Sequence, residues 1–479
     1  MAERRAEQEI PEELLANPIL AENIDRQRER AVRVQTLRNA IDGYFGGRDT
    51  VSTFLRPLEI DRGALLPFFE AVDTKGRPAY GREIKPPKKP ISPELKGMSP
   101  EKVFFLEEQR MLAGCKNVRA RRYSLREMGF GNMLDFLGME DFGFLVMANV
   151  EDLQEKGKNE DWAKIIKTAS NIIFWNAGWT SETGVWRTDP AAVVNERRGL
   201  VSIVVAPPGY GRNSWQQRKM DEVVEARLYT KRGLSFIMAV LEEMLDVRRK
   251  GDKRRIITVA HSQNAARILE LPPKVLAQRN RVWLPIAPAG ECKSFPLIGS
   301  YTTLEALLNI GGNVPSLMSK PITEFVLNQL TKNVDPETVA VHKAVVDNAI
   351  NKGVMEGLSW AMHDLYDTRW SRVPIEHREN WPHNTIVFFG SEDPLVAHRS
   401  VIDYLIEAGF PLGRINVGSK TFNTVYVADR LGHYSLFQTA QKNLDTVQAR
   451  AENKLANNTH DLINEVIRAF LKKPPSRKK

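Results

Sequence analysis

The strongest constraint on this chain is a change of texture at about residue 118. From there onward, short runs rich in Val, Ile and Phe alternate with longer amphipathic stretches. The candidate strands are Gly143–Val150, Asn171–Asn176, Val201–Ala206, Arg255–Ala260, Val282–Ala287, Thr385–Gly390 and Thr421–Val427. Several are nearly continuous apolar runs, as parallel strands covered on both faces require. Segments such as GLSFIMAVLEEMLDVRRK and AHRSVIDYLIEAG carry a helical pattern between them. Strand, helix and strand in succession predict an α/β fold with a doubly wound, mostly parallel sheet. In such sheets the working residues lie just past the carboxyl ends of the strands.

Composition narrows the field further. The chain has 479 residues, 42% hydrophobic and 27% charged, enough apolar material for a full core. Its length fits about three units, or one large α/β unit with additions. Two cysteines, Cys115 and Cys292, exclude a disulfide scaffold and a cysteine-rich zinc module. They suit a reducing, cytoplasmic setting. The opening MAERRAEQEIPEELL is too charged for a signal peptide, and no transmembrane segment is expected because no apolar run is long enough. The net charge of +9 permits loose affinity for nucleic acid or anionic lipid but does not bear on the fold.

Residues 1–81 read as a helical N-terminal extension. In ENIDRQRERAVRVQTLRNAI a narrow stripe of Ile24, Ala31, Val34, Leu37 and Ile41 runs along a face otherwise flanked by arginines, and Gly46 and Gly47 stop the pattern. Such a helix either packs on its own protein or binds a protein or anionic partner. Residues 82–117 read as a Pro/Lys-rich linker followed by a helix. The five prolines of 82–100 allow no helix or central strand there. The core then falls into two parts, 118–290 and 384–471, around an insertion at 291–383. A basic tail, KKPPSRKK, occupies 472–479 and is a second place where an anionic partner could bind. If the proline stretch is a true boundary, the core folds without residues 1–81. Neither basic stretch has the interleaved aromatics of a single-strand nucleic-acid platform.

Three segments carry chemistry. In RRIITVAHSQNAARILEL a strand leads into a helix with Ser262 at the bend. A serine there stands above the sheet on the positive end of a helix, and the N–H of Gln263 is free to hold an oxyanion. The plain alternative is a helix-capping serine. In TIVFFGSEDPLVAHRS the strand ends at Gly390 and Asp393 follows, as a base-orienting acid or an ordinary helix cap. In TVYVADRLGHYSLF a loop after the strand carries His433, as a base or a surface residue. Together the three follow the order nucleophile, acid, base, each just past a candidate strand.

These segments resemble the α/β-hydrolase family over residues 118–471. AHSQNA is similar to its nucleophile elbow, GSEDPLV to its acid loop and GHY to its histidine loop. IIFWNAGWTSETGVW resembles the strand and loop that supply the second oxyanion donor, and ERRGLVSIVVAPPGYGRNSW the next strand with its Pro-Gly-x-Gly turn. The resemblance implies a Ser262–His433–Asp393 triad, with the N–H groups of Gln263 and Trp179 (or Gly178) as the oxyanion hole. Glu291, which follows VWLPIAPAG, is an alternative acid. The elbow departs from the family pattern. Ala260 and Asn264 replace its two glycines, Ala177 stands where the family has histidine, and Pro207 and Pro208 replace the aspartate often found before Pro-Gly-x-Gly. Asn264 brings a polar group into a crowded place and must find partners there.

An insertion at 291–383 would form a helical lid. Leu307, Leu308, Met318, Phe325, Leu327, Trp360, Met362 and Trp370 could line an apolar pocket or simply pack the lid, and His363 could reach the site. GFGNML, from Gly129, lacks the third glycine of a dinucleotide fingerprint. There is no P-loop lysine, His-Glu-x-x-His or calcium loop, so no cofactor or metal is expected. The expected function is a serine hydrolase, carboxylesterase- or lipase-like or an amidase, cleaving an ester or amide of a modest-sized, partly apolar substrate through an acyl-enzyme. The alternative is a protein of this fold that has lost catalysis and binds a partner through its basic extensions.

Overall fold

A computed structural model describes residues 18–75, 77–87, 95, 97–153, 162–178, 181–186, 189–247, 254–276, 278, 280–289, 336–354, 356–357, 360–361, 364, 384–393, 396, 398–418, 420–428, 432–433 and 462–471. Eleven strands form among them: β1 (Arg82–Ile84), β2 (Val118–Ser124), β3 (Gly143–Asn149), β4 (Asn171–Asn176), β5 (Leu200–Val205), β6 (Arg255–His261), β7 (Arg281–Ile286), β8 (Val387–Gly390), β9 (Arg414–Val417), β10 (Lys420–Asn423) and β11 (Val425–Ala428). Nine build one sheet in the order β1-β2-β3-β5-β4-β6-β7-β8-β11, and β9 and β10 form a separate antiparallel hairpin. From β5 across to β11 every pairing is parallel, while β1, β2 and β3 join by antiparallel pairings. The central strands β3, β4, β5, β6 and β7 are buried almost throughout, which is why their sequences are continuous apolar runs.

One expected strand needs correction, and one strand was not expected. Thr421–Val427 is not one strand. The chain bends at Thr424, whose N–H donates to the Gly413 carbonyl at 3.0 Å while its own carbonyl accepts from the Val387 N–H at 2.8 Å. Pairing thus passes from β9 to β8 within one residue. In addition, β2 lies in a stretch, VRARRYS, where arginines hide the apolar alternation. Arg121 donates to the Gly81 carbonyl at 2.6 Å, and Arg122 pairs with the buried Glu108, so these charges are spent inside the protein.

The helices that matter for the site are α1 (Pro18–Phe45), α2 (Pro100–Met111), α3 (Met220–Glu225), α4 (Lys231–Met244), α5 (Ser262–Leu269), α6 (Pro336–Asn351) and α7 (His398–Glu407). The first helix ends where the glycine pair begins, with Gly47 in the left-handed region at φ 74°. Its second half is docked. Val34, Leu37, Ile41, Tyr44 and Phe45 are buried in the same apolar core as the sheet, whereas Ala31, expected in the stripe, is exposed. Arg33 pairs with Glu222 at 2.6 Å, Arg30 with Glu225 at 2.7 Å, and Arg38 donates to the Glu225 carbonyl at 2.7 Å. Following the helix, the Gly63 and Leu65 N–H groups donate to the Glu243 and Met244 carbonyls, at 3.0 and 3.1 Å. The Glu243 carbonyl also accepts from the Asp246 N–H at 3.0 Å in the turn that ends α4, so the extension adds to the capping of that helix. Arg82–Ile84, expected within the linker, extends the main sheet as its edge strand on β2.

Above the carboxyl edge lies part of the insertion. Helix α6 packs on α2 and on the turn at 211–213. Asn348 donates to the Gly211 carbonyl at 2.5 Å, and Lys352 reaches Glu140 at 2.6 Å and Ser214 at 2.8 Å. Asp364 accepts from the backbone N–H of Lys231 at 3.0 Å, a favourable place for a carboxylate at the start of α4. The buried Lys231 ammonium lies between Asp364 (3.3 Å) and Glu270 (3.4 Å). Burial alone would lower the Lys231 pKa, but these two carboxylates raise it above the ordinary lysine value. Among the described residues no helix is long and apolar enough to cross a membrane.

The expectation that residues 1–81 can be removed without harm sits badly with this shared core. Leu37→Ala should cost about 2–5 kcal/mol in urea unfolding, the range for truncating a fully buried leucine. Deleting 1–81 should lower the thermal midpoint sharply or leave the protein insoluble, checked by circular dichroism of the purified truncation. A truncated protein that melts cooperatively at the full-length temperature would show the extension to be dispensable.

Candidate active site

Strand β6 runs through the centre of the sheet and turns into α5 without a loop. His261 is extended (φ −115°), and Ser262, the next residue, has φ 54°. A side chain at positive φ is strained and survives only where its surroundings hold it. Three contacts do so. The Ala289 N–H, past the end of β7, donates to the Ser262 carbonyl at 3.2 Å. The first turn of α5 is fully buried. Gly178, just beyond β4, lies so near that a β-carbon there would sit 2.7 Å from Ser262 Cβ and 3.0 Å from His261 Nδ1. The turn lifts Ser262 to the carboxyl edge of the sheet, with the N–H groups of the first turn of α5 beside it.

The acid and the histidine meet. His433 Nδ1 donates to Asp393 Oδ2 at 2.7 Å, and both side chains are out of contact with solvent. The Val396 N–H donates to Asp393 Oδ1 at 3.0 Å, so the carboxylate is oriented by backbone on one oxygen and by imidazole on the other. The His433 ring lies 4.6 Å, centroid to centroid, from that of His261, the residue before Ser262. His261 Nε2 donates to the His433 carbonyl at 3.1 Å. That bond fixes the His261 tautomer, because a carbonyl can only accept. Burial, followed by the neighbouring His433 and His342, holds the His261 pKa well below the ordinary histidine range, against the opposing pull of its bond to the His433 backbone. It is therefore a neutral support for the histidine loop.

Asn264 has the partners it needs. Its Nδ2 donates to the Ala177 carbonyl, and its Oδ1 accepts from Arg267 Nε at 2.9 Å. Arg267 is buried, which pulls its pKa down to about 10, still high enough to keep the charge at neutral pH. The Gln263 side chain accepts from the Tyr210 hydroxyl at 3.3 Å, joining the elbow to the Pro-Gly-x-Gly turn. That turn is held in its own right. Glu182 accepts from the Arg212 N–H at 2.9 Å, and Arg212 reaches Glu108 at 2.6 Å. Burial would raise the Glu108 pKa, but the Arg122 and Arg212 guanidiniums hold it below the ordinary carboxylate value.

Thus β4, β6, β8 and the loops after β8 and β11 bring Ser262, Gln263, Asp393 and His433 to one end of the sheet. Trp179, Glu291 and the lid positions Leu307, Leu308, Met318, Phe325, Leu327, Met362, His363 and Trp370 lie outside the described residues, as does the basic tail. Trp360 is described; its ring lies 5.9 Å from that of Tyr229, and its Nε1–H donates to Glu356 at 3.2 Å. Sequence reasoning passed over His261, although it lies within the quoted elbow, and His342, a buried residue of α6 within electrostatic reach of His261. Both are single histidines whose neighbours are set by folding.

A mainly parallel sheet in which β3 runs opposite to its neighbours β2 and β5, with a left-handed serine between the central strand β6 and the helix that follows, decides the architecture. The chain has an α/β-hydrolase-like fold. No family model matches it, and no curated protein matches it. Solved structures resemble it at low identity. A lipase in its open form is 13% identical with TM-score 0.39, over 69% of this chain and 96% of its own. A 2-hydroxy-6-oxo-6-phenylhexa-2,4-dienoate hydrolase from Rhodococcus sp. strain RHA1 is 12% identical with TM-score 0.40, over 69% and 95%. An esterase from Exiguobacterium antarcticum is 11% identical with TM-score 0.40, over 68% and 96%. The α/β-hydrolase-like fold is defined here by the strand order and the elbow, not by these scores.

Two outcomes follow from this packing. Gly178→Ala should destabilise the protein by about 1–3 kcal/mol through overpacking, and adding Ser262→Gly should recover part of the loss in urea unfolding. The second concerns pH. An unfolded His261 takes up a proton below its ordinary pKa of 6.5, while the folded one, held well below that, does not. Protons therefore favour unfolding, and stability is lost as pH falls from about 6.5 towards the depressed folded value. In urea midpoints measured from pH 5 to 8, His261→Gln should show a shallower acid decline than the wild type.

Proposed function

We propose that the protein is a serine hydrolase that cleaves a small, partly apolar ester or amide. The observation that carries this reading is the buried 2.7 Å pair of His433 and Asp393 lying against the residue that precedes a left-handed Ser262. A histidine with Nδ1–H given to a carboxylate presents Nε2 as the base, which is the tautomer a serine nucleophile needs. In this reading Ser262 Oγ attacks the acyl carbon as His433 Nε2 takes its proton. Asp393 keeps the imidazole in that tautomer and supports the positive charge that develops. The oxyanion falls to the N–H of Gln263 and, by the family resemblance, to the N–H of Trp179. His433 returns the proton to the leaving alcohol or amine. Water, deprotonated by the same imidazole, then releases the acid and restores Ser262.

Serine at the elbow speaks against epoxide or dehalogenase chemistry, which on this fold uses an aspartate nucleophile. Partners for the Asn264 amide remove the main physical objection to a working elbow, since that side chain is not an unpaired polar group.

The test is labelling with a fluorophosphonate, together with p-nitrophenyl ester hydrolysis. Wild-type protein should be labelled, and Ser262→Ala should abolish both signals while changing stability by less than about 1 kcal/mol. Asp393→Asn should keep the fold and lower kcat by up to about 10⁴-fold, because the wrong tautomer is then favoured. A folded wild-type protein that is never labelled would leave the scaffold reading instead.

A further inference from the structure

We propose that Asn264 is a positioning residue. Its amide clamps the Ala177 carbonyl and so fixes the peptide that leads from β4 into the loop beside Ser262. The catalytic consequence rests on the hydrolase reading above.

Asn264 is almost fully buried in the first turn of α5. The orientation of its amide is set by its neighbours. Oδ1 faces the Arg267 guanidinium, which can only donate, so Nδ2 must face the Ala177 carbonyl, which can only accept. The Ala177–Gly178 unit is then held at three points. The Ala177 N–H donates to the Val205 carbonyl at 3.2 Å, the Ala177 carbonyl accepts from Asn264, and the Gly178 carbonyl accepts from the Ser181 N–H at 3.1 Å. In a planar trans peptide the C=O and N–H point opposite ways. Holding the Ala177 oxygen therefore also sets the direction of the Gly178 N–H. Gly178 has no slack on its other side, where Ser262 and His261 lie against it.

The clamp joins the two elements that each supply one oxyanion donor in the proposed mechanism: the start of α5 and the end of β4. Two donors act together only if their spacing is held to within about 0.5 Å. A glycine at position 264 would leave the helix and the strand end to pack without this link. Arg267 carries the constraint outward. It is itself buried, one turn along α5, within electrostatic reach of Glu242 on α4 and Tyr44 on α1.

The experiment compares Asn264→Asp, which keeps the shape and loses the donor, with Asn264→Gly, which removes the side chain. The first readout is the rate of Ser262 labelling by a fluorophosphonate, with kcat and KM for a p-nitrophenyl ester. Each folded variant should label about tenfold more slowly and lose kcat to the same extent, with KM within about twofold. A variant that is merely less stable would keep its kcat below its melting temperature. The second readout is a crystal structure of either variant, in which the Ala177–Gly178 peptide should rotate or shift away from α5. A variant labelled at the wild-type rate, or a 177–178 peptide that superimposes on the wild type, overturns the clamp. A wild type that is not labelled at all removes the hydrolase reading. The crystal structure then decides the clamp alone, a displaced peptide upholding it and an unmoved one overturning it.

Discussion

The site depends on one strained backbone turn. Ser262 sits at φ 54° between a strand and a helix that are both buried, and the strain has to be held by contacts from elsewhere in the chain. They come from strands distant in sequence. Gly178 after β4 closes one side, Ala289 after β7 binds the serine carbonyl, and Tyr210 after β5 reaches the next side chain. A parallel sheet makes this economical, because the ends of its strands all arrive at one edge.

A second layer of order comes from charges that the fold buries in pairs. Glu108 lies between Arg122 and Arg212 and joins α2, β2 and the turn beside the elbow. Lys231 lies between Glu270 and Asp364 and joins α4, the end of α5 and the insertion. Removing one partner of such a set would strand a buried charge, at about 3–5 kcal/mol. These sets therefore fix geometry strictly even where their net contribution to stability is small. The Glu108 set also holds the turn from which Tyr210 reaches Gln263.

The extension belongs to the same economy. Its arginines looked available for an anionic partner, yet Arg30, Arg33 and Arg38 are engaged with α3. Its apolar stripe is continuous with the core of the sheet, and the segment after it caps the carboxyl end of α4. Tyr44 lies within electrostatic reach of Arg267, which donates to Asn264.

By itself the sequence determined the α/β class, most of the central strands and the order serine, aspartate, histidine. It could do so because a strand buried on both faces must be apolar at every position, and because a catalytic loop must follow such a strand. Ser262 stood out for that reason, and Asp393 and His433 for their place after the later strands. Only the tertiary structure decided what depends on distant partners. The arginines of β2 concealed a strand because their carboxylate and carbonyl acceptors lie far along the chain. The bend at Thr424 depends on two separate partners for one residue. His261 supports His433 across 172 positions, and Asn264 finds Ala177 across 87. A local pattern records which face of an element is apolar. It does not record which groups meet once those faces are buried, and in this protein the meeting of Asn264 with Ala177 separates a crowded elbow from a held one.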